Sequence, residues 1–327
     1  MARLYPFPGE RESNPVIFAY PHQGQTTAII EDPEHLLEAA WIDVSEPTDE
    51  EYDLISRLIP HKLPDDEDAD EIEASTRTFA DGESIHLSTL FLHRVEGRPE
   101  NTSVTVVCTR DRLITIHDRD VPAIRLMRIR ARRQPSLLDE PIGLLAGLFE
   151  TAVLDLGNTL QDLYRDLEET SALVLEDPDA DLEEALERLA GHENLNGKVR
   201  LCLMDACRDL AFVWRSGQAS KPCARRLKYL LSEIDALLPH NNYLFEKVTF
   251  LLQAAQGFIS IEQNKIIKIF SVAAAAFLPP TLIASIYGMN FEHMPELGWE
   301  YGYPLSLLIM VVSAVLPIFY FKRKGWL

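Results

Sequence analysis

Basic residues are scarce in this chain: 31 Lys plus Arg stand against 51 Asp plus Glu, a net charge of −20. A surface of that sign repels a phosphate backbone, so no nucleic-acid partner is expected. Cysteine is scarcer still, with Cys108, Cys202, Cys207 and Cys223 at no repeated spacing and no Cys-x-x-Cys pair. Neither a disulfide framework nor a zinc knuckle is signalled, and the thiols read as reduced and structural. The opening MARLYPFPGE has two prolines and no apolar run. No cleavable secretory signal is therefore expected, and the N-terminal part is expected to stay in the cytosol. The chain also lacks a Gly-x-x-x-x-Gly-Lys phosphate loop, a dinucleotide fingerprint, a His-Glu-x-x-His pair and a Gly-x-Ser-x-Gly elbow. With none of these, neither an enzyme, nor an ATP-driven pump, nor an organic cofactor is expected, and any transport has to draw on a gradient.

Charge is missing altogether from two stretches near the C-terminal end. Nineteen residues from Ile269 to Tyr287 and twenty-one from Tyr301 to Phe321 carry none. Each is long enough as a helix to cross a hydrocarbon core of about 30 Å. A hairpin of core helices in a soluble domain is the other arrangement such runs fit; their adjacency favours spanning. Lys265 and Lys268 precede the first run, Lys322, Arg323 and Lys324 follow the second, and the stretch between them has no Lys or Arg. Because cations collect on the cytosolic side, both termini are placed inside. The outer loop instead holds Glu292, Glu296 and Glu300 beside His293. Repeated around an axis, those acids would concentrate cations at an entrance.

The segments VIFAY (16–20), SIHLSTLFLHR (from Ser84) and SVTVVCTRDRLITIH (from Ser103) are rich in β-branched and aromatic residues and read as strands, the last with a turn at Thr109, Arg110 and Asp111. Tyr52, Ile55 and Ile59 recur at helical spacing after Ser45 and Pro47 as start signals. An α/β domain over 1–122 follows. Helical patterning then runs over about 123–134, 139–175, 180–215 and from Pro222 onward, broken at DPDAD and SGQASKP. The last helix is expected to kink at Pro239 and continue into the first apolar run. Its stripe comprises Leu244, Val248, Leu251, Leu252, Ala255, Ile259 and Glu262. This divides the chain into an α/β domain (1–122), a helical region with a stalk helix (123–264) and a transmembrane domain (265–327). The spans fall at about 267–287 and 303–321 and the outer loop at 288–302.

Seven acids without a base fill 65–73, and another seven lie from Glu176 to Glu187. Such runs fit a solvated face, and also a divalent-cation sensor. Arg125, Arg128, Arg130, Arg132 and Arg133 fit pairing with those acids within or between subunits; nucleic acid or anionic lipid is the other reading. Inside the first span Ser271, Thr281 and Ser285 share one helical face with Ala274 and Leu278. Close helix packing and a pore lining both account for that face. One such helix cannot enclose a channel, so a pore would need several copies.

The segment YGMNFEHMPEL, from Tyr287 to Leu297, is followed by a second apolar run and the basic end FKRKGWL. Together with FLPPTLIASIYGMN, this strongly resembles the CorA family of magnesium transporters over about 240–327. The resemblance implies a funnel-shaped homopentameric channel with an α/β cytosolic domain, a long helical stalk and two C-terminal transmembrane helices per subunit, set in the inner (plasma) membrane. The family's selectivity element falls on Gly288, Met289 and Asn290, with Asn290 meeting Mg²⁺ through its hydrating water. The implied pore positions are Asn290, Thr281, Leu278 and Phe270, with Ile267 at the inner apolar constriction. Ala274 and Ser285 belong to the same lining, Ser285 where a small residue is usual. Phe270 lies one residue from the face traced through Ser271.

Mg²⁺ is then both the substrate and the regulator, and the resemblance implies closure when Mg²⁺ occupies acidic sites between neighbouring cytosolic domains. The family's sensing carboxylate falls near Tyr229, with Glu233 and Asp235 further on, so the regulatory site stays unassigned. Gated uptake of Mg²⁺, with Co²⁺ and Ni²⁺ as further substrates, is the expected function. A zinc transporter of the same superfamily is an alternative that Met289 disfavours, and a membrane-anchored sensor or scaffold without conduction is another.

Overall fold

Strand-forming segments in the first third of the chain assemble one sheet. They are β1 (Val16–Pro21), β2 (Ala28–Ile29), β3 (Ala39–Ser45), β4 (Thr78–Asp81), β5 (Ser84–Val95), β6 (Arg98–Cys108) and β7 (Leu113–His117). The computed structural model describes residues 16–21, 28–29, 36–59, 78–82, 84–95, 97–177, 181–289 and 294–326. The strand order is β2-β1-β3-β7-β6-β5-β4. β3 and β7 pair in parallel, with Trp41 opposite Leu113 and Asp43 opposite Thr115. The β6–β7 turn closes through Thr109, whose main-chain N–H donates to the Arg112 carbonyl at 2.9 Å.

Both faces of β3 and β7 are buried. Because side chains alternate across a strand, Ile42, Val44, Ile114 and Ile116 turn to one face. There they meet Ile55, Ile59 and Tyr52 on and just after α1 (Asp49–Ser56). The cap of α1 is Thr48 rather than the Ser45 and Pro47 signals. The Glu51 N–H donates to Thr48 Oγ1 at 3.4 Å, and the Thr48 N–H donates to Glu51 Oε2 at 3.0 Å. This reciprocal capping box satisfies two donors that a helix start otherwise leaves unpaired.

The opposite face of the same strands, with Trp41 and Leu113 fully buried, also carries a polar cluster. Asp43 is fully buried; it accepts from Thr115 Oγ1 at 2.5 Å and from Arg128 Nε at 2.5 Å, and lies 3.2 Å from His117 Nε2. Burial pushes the Asp43 carboxyl up, but the His117 hydrogen bond, the Arg128 charge and the Thr115 hydroxyl outweigh it and hold it below the usual 3.8. Arg128 comes from α2 (Pro122–Arg133) and also lies over the Phe18 ring, 3.9 Å from its centre.

α2 is followed by α3 (Pro141–Glu176) and α4 (Leu182–Ser216). Proline opens α2 and α3, where the missing N–H has no helical partner to lose. Asp181 caps α4 by accepting from the Glu183 and Glu184 N–H groups at 3.0 and 3.2 Å. Gly217 ends it with φ 71°, a left-handed conformation that glycine adopts without a Cβ clash. α4 lies along β5 and β6, and α3 packs on α2 and α4.

α5 runs from Lys221 to Tyr287 as one helix that continues through Pro239. Its Leu227, Leu230, Ile234, Leu244, Val248 and Leu251 are fully buried. Each such side chain contributes roughly 1.5–3 kcal/mol by leaving water. Along the expected stripe Ala255 is also buried, Leu252 and Ile259 are half-buried, and Glu262 is exposed. A reciprocal amide pair fixes α5 against α4. Asn241 Nδ2 donates to Asn196 Oδ1 at 2.7 Å and Asn196 Nδ2 donates to the Asn241 carbonyl at 3.1 Å, both side chains being buried. Lys247 pairs with Glu168, and Glu150 accepts from both Arg130 and Arg226.

Among the described residues, Arg125 of α2 pairs with Asp120, Arg128 with Asp43 and Arg130 with Glu150. Their partners, in the loop before α2, on β3 and on α3, lie outside the acidic runs. The run at 65–73 lies outside the described residues. In the second run Asp181 is a cap, and Glu183, Glu184 and Glu187 stand at the start of α4, with Glu184 paired to Arg188 at 2.6 Å. The chain divides into two units, Met1–Leu251 and Leu252–Leu327. The second holds the remainder of α5, a 3₁₀ turn at Pro295–Gly298 and α6 (Gly302–Arg323).

Candidate functional site

Two helices are long and apolar enough to cross a membrane, α5 in its C-terminal part and α6. Their outward surfaces suit a lipid or protein environment: Phe277, Leu282, Leu308 and Leu316 are all well exposed on the single chain. In α5, Val272 and Ala276 are buried, and Pro279, Ile283 and Tyr287 on the same line are half-covered. At 3.6 residues per turn, the line through Ile267, Ala274, Leu278, Thr281 and Ser285 lies about half a turn away. Every one of those five is exposed, Leu278 at 66%, and so is Phe270 at 71%. Ser271, Ala274, Leu278, Thr281 and Ser285, the face that sequence spacing singled out, are all exposed on the single chain, as are Phe277, Leu282, Ala284 and Ile286.

Consecutive prolines interrupt this helix chemically. Pro279 and Pro280 have no N–H, so the carbonyls of Ala275 and Ala276 lose their ordinary partners four residues on. Directly after them, Thr281 Oγ1 donates to the Phe277 carbonyl at 2.7 Å. The hydroxyl is satisfied within its own helix while its oxygen keeps lone pairs free to accept.

α5 ends at the tripeptide. The Gly288 N–H donates to the Ala284 carbonyl at 2.9 Å, and the Met289 N–H reaches the Ile286 carbonyl at 3.3 Å as the last turn tightens. A Cβ at position 288 would lie 3.1 Å from the Ala284 carbonyl oxygen, closer than side chains ordinarily tolerate. A side chain here would require the Ala284 carbonyl to give by a few tenths of an ångström. Gly288 and Met289 are exposed. Asn290, Glu292 and His293 lie outside the described residues, as does the side chain of Glu296. Glu300 is exposed just before α6, beside Trp299 and Tyr301, whose rings meet edge-on with centroids 6.1 Å apart. Lys322, Arg323 and Lys324 are exposed at the other end of α6.

Among the described residues, no group of three or more His, Cys, Asp or Glu side chains is placed to hold a metal ion. Tyr229, where the resemblance would place a sensing carboxylate, is 60% exposed. Its hydroxyl hydrogen bond to Glu233 pushes its own pKa up. What sequence reasoning missed is Asp43. It sits in a short strand, AAWIDVS, whose lone acid reads as a solvent-facing position until Arg128 and His117 are seen around it.

Residues 38–323 match the family described as CorA-like Mg²⁺ transporter protein. The magnesium transport protein CorA of Salmonella typhimurium is 43% identical over 300 residues, which cover 91% of this chain and 95% of the relative. The protein of that name from Escherichia coli is likewise 43% identical over 300 residues, with the same coverage of both chains. Among solved structures, the complete CorA magnesium transporter from Methanocaldococcus jannaschii superposes with a TM-score of 0.70 at 20% identity, over 97% of this chain and 100% of that one. A soluble α/β unit, a long helix and two C-terminal apolar helices are what these folds share, and the match over nearly the whole length places this chain in the CorA family.

Proposed function

We propose that the chain forms a homopentameric channel in the cell's inner (plasma) membrane that admits Mg²⁺ down the membrane potential, with Co²⁺ and Ni²⁺ as further substrates. In this reading α5 and α6 cross the bilayer over about 267–287 and 303–321, residues 288–302 face outward, and both termini are cytoplasmic. Residues 1–122 and 123–264 form the cytosolic α/β and helical regions. The observation that carries the proposal is the uncovered face of α5. Ile267, Phe270, Ala274, Leu278, Thr281 and Ser285 are exposed on the single chain and lead to Gly288 and Met289 at its end. Copies arranged around an axis would turn that face toward a shared conduit, which one helix cannot enclose.

The chemistry suits an ion that dehydrates reluctantly and keeps several waters. A ring of neutral Asn290 amides hydrogen-bonds those waters without holding the ion too tightly to leave. Below it the lining is small, hydroxylated or apolar, so conduction meets no carboxylate trap. A dication entering a cell at −100 mV gains about 4.6 kcal/mol, so no nucleotide site is required. Mg²⁺ also acts as regulator, neutralising repulsion between cytosolic regions of a chain with net charge −20 and favouring the closed ring at high ion concentration.

Replacing Asn290 with Ala tests the reading in reconstituted vesicles. Mg²⁺ uptake is expected to fall by at least about tenfold with assembly unchanged, because each lost amide removes a water-mediated contact in every copy. Uptake indifferent to the change would assign the two spans to anchoring.

A further inference from the structure

Where β4 stops, α4 takes over the edge of the sheet. β4 pairs with β5 only through Ser84–Leu87. Further along β5, the Leu90 N–H donates to Asp205 Oδ2 of α4 at 3.2 Å. Asp205 Oδ1 lies 3.0 Å from Arg208 Nη1, so both oxygens of this carboxylate are in use. One turn on, Asp209 is fully buried. Its Oδ1 accepts from Thr78 Oγ1 of β4 at 2.9 Å and from Arg208 Nε at 3.3 Å. Its Oδ2 is buried without a hydrogen-bond partner among the described residues, and so are Thr89 Oγ1 on β5 and Arg208 Nη2. The Thr89 hydroxyl faces the Asp209 carboxyl and acts on it.

Two acids share one cation here, in different surroundings. The Asp205 side chain is 16% exposed and that of Arg208 38%, whereas that of Asp209 is 0% exposed. With both acids ionised, the excess negative charge would fall on the carboxylate that water does not reach, and a buried charge without full pairing is costly. A proton on Asp209 removes that excess and leaves Asp205 and Arg208 as a one-to-one pair. Oδ2 is the oxygen placed to carry it, because Oδ1 already accepts two bonds. A hydroxyl both donates and accepts, so Thr89 serves either state: it accepts from the protonated Oδ2 and donates to the ionised one. The charged groups acting on Asp209 are Arg208 and Asp205 of its own helix, while β4 and β5 face it with the hydroxyls of Thr78 and Thr89. Burial outweighs Arg208 and both hydroxyls and pushes the Asp209 carboxyl up, with the Asp205 charge adding to it.

We infer that this seam is a proton-sensing latch: Asp209 holds a proton on Oδ2, Asp205 stays ionised on Arg208, and loss of the proton loosens β4 and the edge of β5 from α4. The proton passes to water and its bonding electron pair stays on Oδ2, so no co-reactant is needed. Ionisation also offers Oδ2 to Arg208 Nη2, which draws the guanidinium away from Asp205 and from the Leu90 contact that Asp205 supports. The sign follows from linkage. The unfolded chain gives up this proton near the ordinary Asp value and the folded chain at a higher one, so the latch is closed below the first and opens as pH rises through the second. The latch belongs to the unit Met1–Leu251 and does not depend on ion conduction.

Hydrogen exchange of the full chain in detergent, followed from acid to neutral pH and corrected for the intrinsic rate, tests the latch. Protection of β4 and β5 is expected to fall by about tenfold per pH unit between the ordinary Asp value and the folded one and then to level off, the slope that one linked proton gives. Asp209→Asn keeps the neutral form and is expected to show no such fall. Asp205→Asn leaves one acid to one cation, so Asp209 ionises more readily and the fall is expected to move to lower pH. A flat profile in the parent, or a fall that persists in Asp209→Asn, would overturn the latch. Should Asp209→Asn not fold, infrared spectra of otherwise unaltered chain carrying ¹³C-labelled aspartate decide the matter. A protonated-carboxyl stretch that shifts with the label, survives Asp155→Asn and fades in step with protection is expected; its absence would overturn the proposal.

Discussion

Gly288 and Asp43 show how much a single position carries. At Gly288 a methyl group would lie 3.1 Å from the Ala284 carbonyl oxygen, so Gly288→Ala requires that carbonyl to give by a few tenths of an ångström. A penalty of about 0.5 kcal/mol is expected at this exposed position, read as a slightly lower melting temperature and reduced Mg²⁺ uptake in vesicles. Asp43 is a matter of charge. Its carboxyl is held low by partners that outweigh burial, so its stabilisation is full above the usual 3.8 and is lost as pH falls through the lower folded value. Asp155 and Asp209 act with the opposite sign. Burial raises both, so their contribution is present below 3.8 and declines as pH rises through their folded values. Asp43→Asn leaves Arg128 facing a neutral partner and should cost about 3 kcal/mol near neutral pH. Thermal melts from pH 3 to 7 should show a flatter acid limb than the parent; an unchanged profile would remove Asp43 from the account.

Among the elements, those with a strong period were legible before any coordinates. β5, β6 and β7 were visible as β-branched runs, and α3, α4 and α5 lie within two residues of the expected 139–175, 180–215 and start at Pro222. β3 was not legible: AAWIDVS lacks alternation because both its faces are buried, and its acid is neutralised by residues far along the chain. The cap of α1 was misplaced by one to three residues because the reciprocal Thr48–Glu51 bonds, not the nearby Ser45 and Pro47, set the start. On α5 spacing alone put Ser271, Ala274, Leu278, Thr281 and Ser285 on one face, whereas their exposure, with Val272 and Ala276 buried on the other side, depended on the folded chain. The Asn196–Asn241 pair was hidden because polar residues in a helix read as surface. Asn241→Leu alone should cost about 1–3 kcal/mol by orphaning the Asn196 amide. The double replacement with Leu should recover part of that loss in a chemical-denaturation series; equal losses would show that the two amides do not act as a pair.

At the scale of the molecule, net charge and the exposed face of α5 point the same way. In the proposed pentamer, subunits of charge −20 would repel one another, so a dication that bridges or screens them should shift the assembly toward its ordered form. Millimolar Mg²⁺ is expected to slow proteolysis of the purified chain several-fold, and Na⁺ at equal ionic strength is expected not to. Protection by both salts alike would reduce the effect to screening. Native mass measurement in detergent should give five chains per particle. A monomer would leave the face through Leu278 and Thr281 without the copies it needs.

The most direct test is Mg²⁺ flux into vesicles reconstituted with the full chain, followed by an enclosed indicator while a potassium diffusion potential is varied. The account predicts uptake that rises as the interior becomes negative, continues without nucleotide and is lost in the Asn290→Ala variant. Vesicles that carry the assembled protein yet remain impermeable to Mg²⁺ at every potential would contradict it.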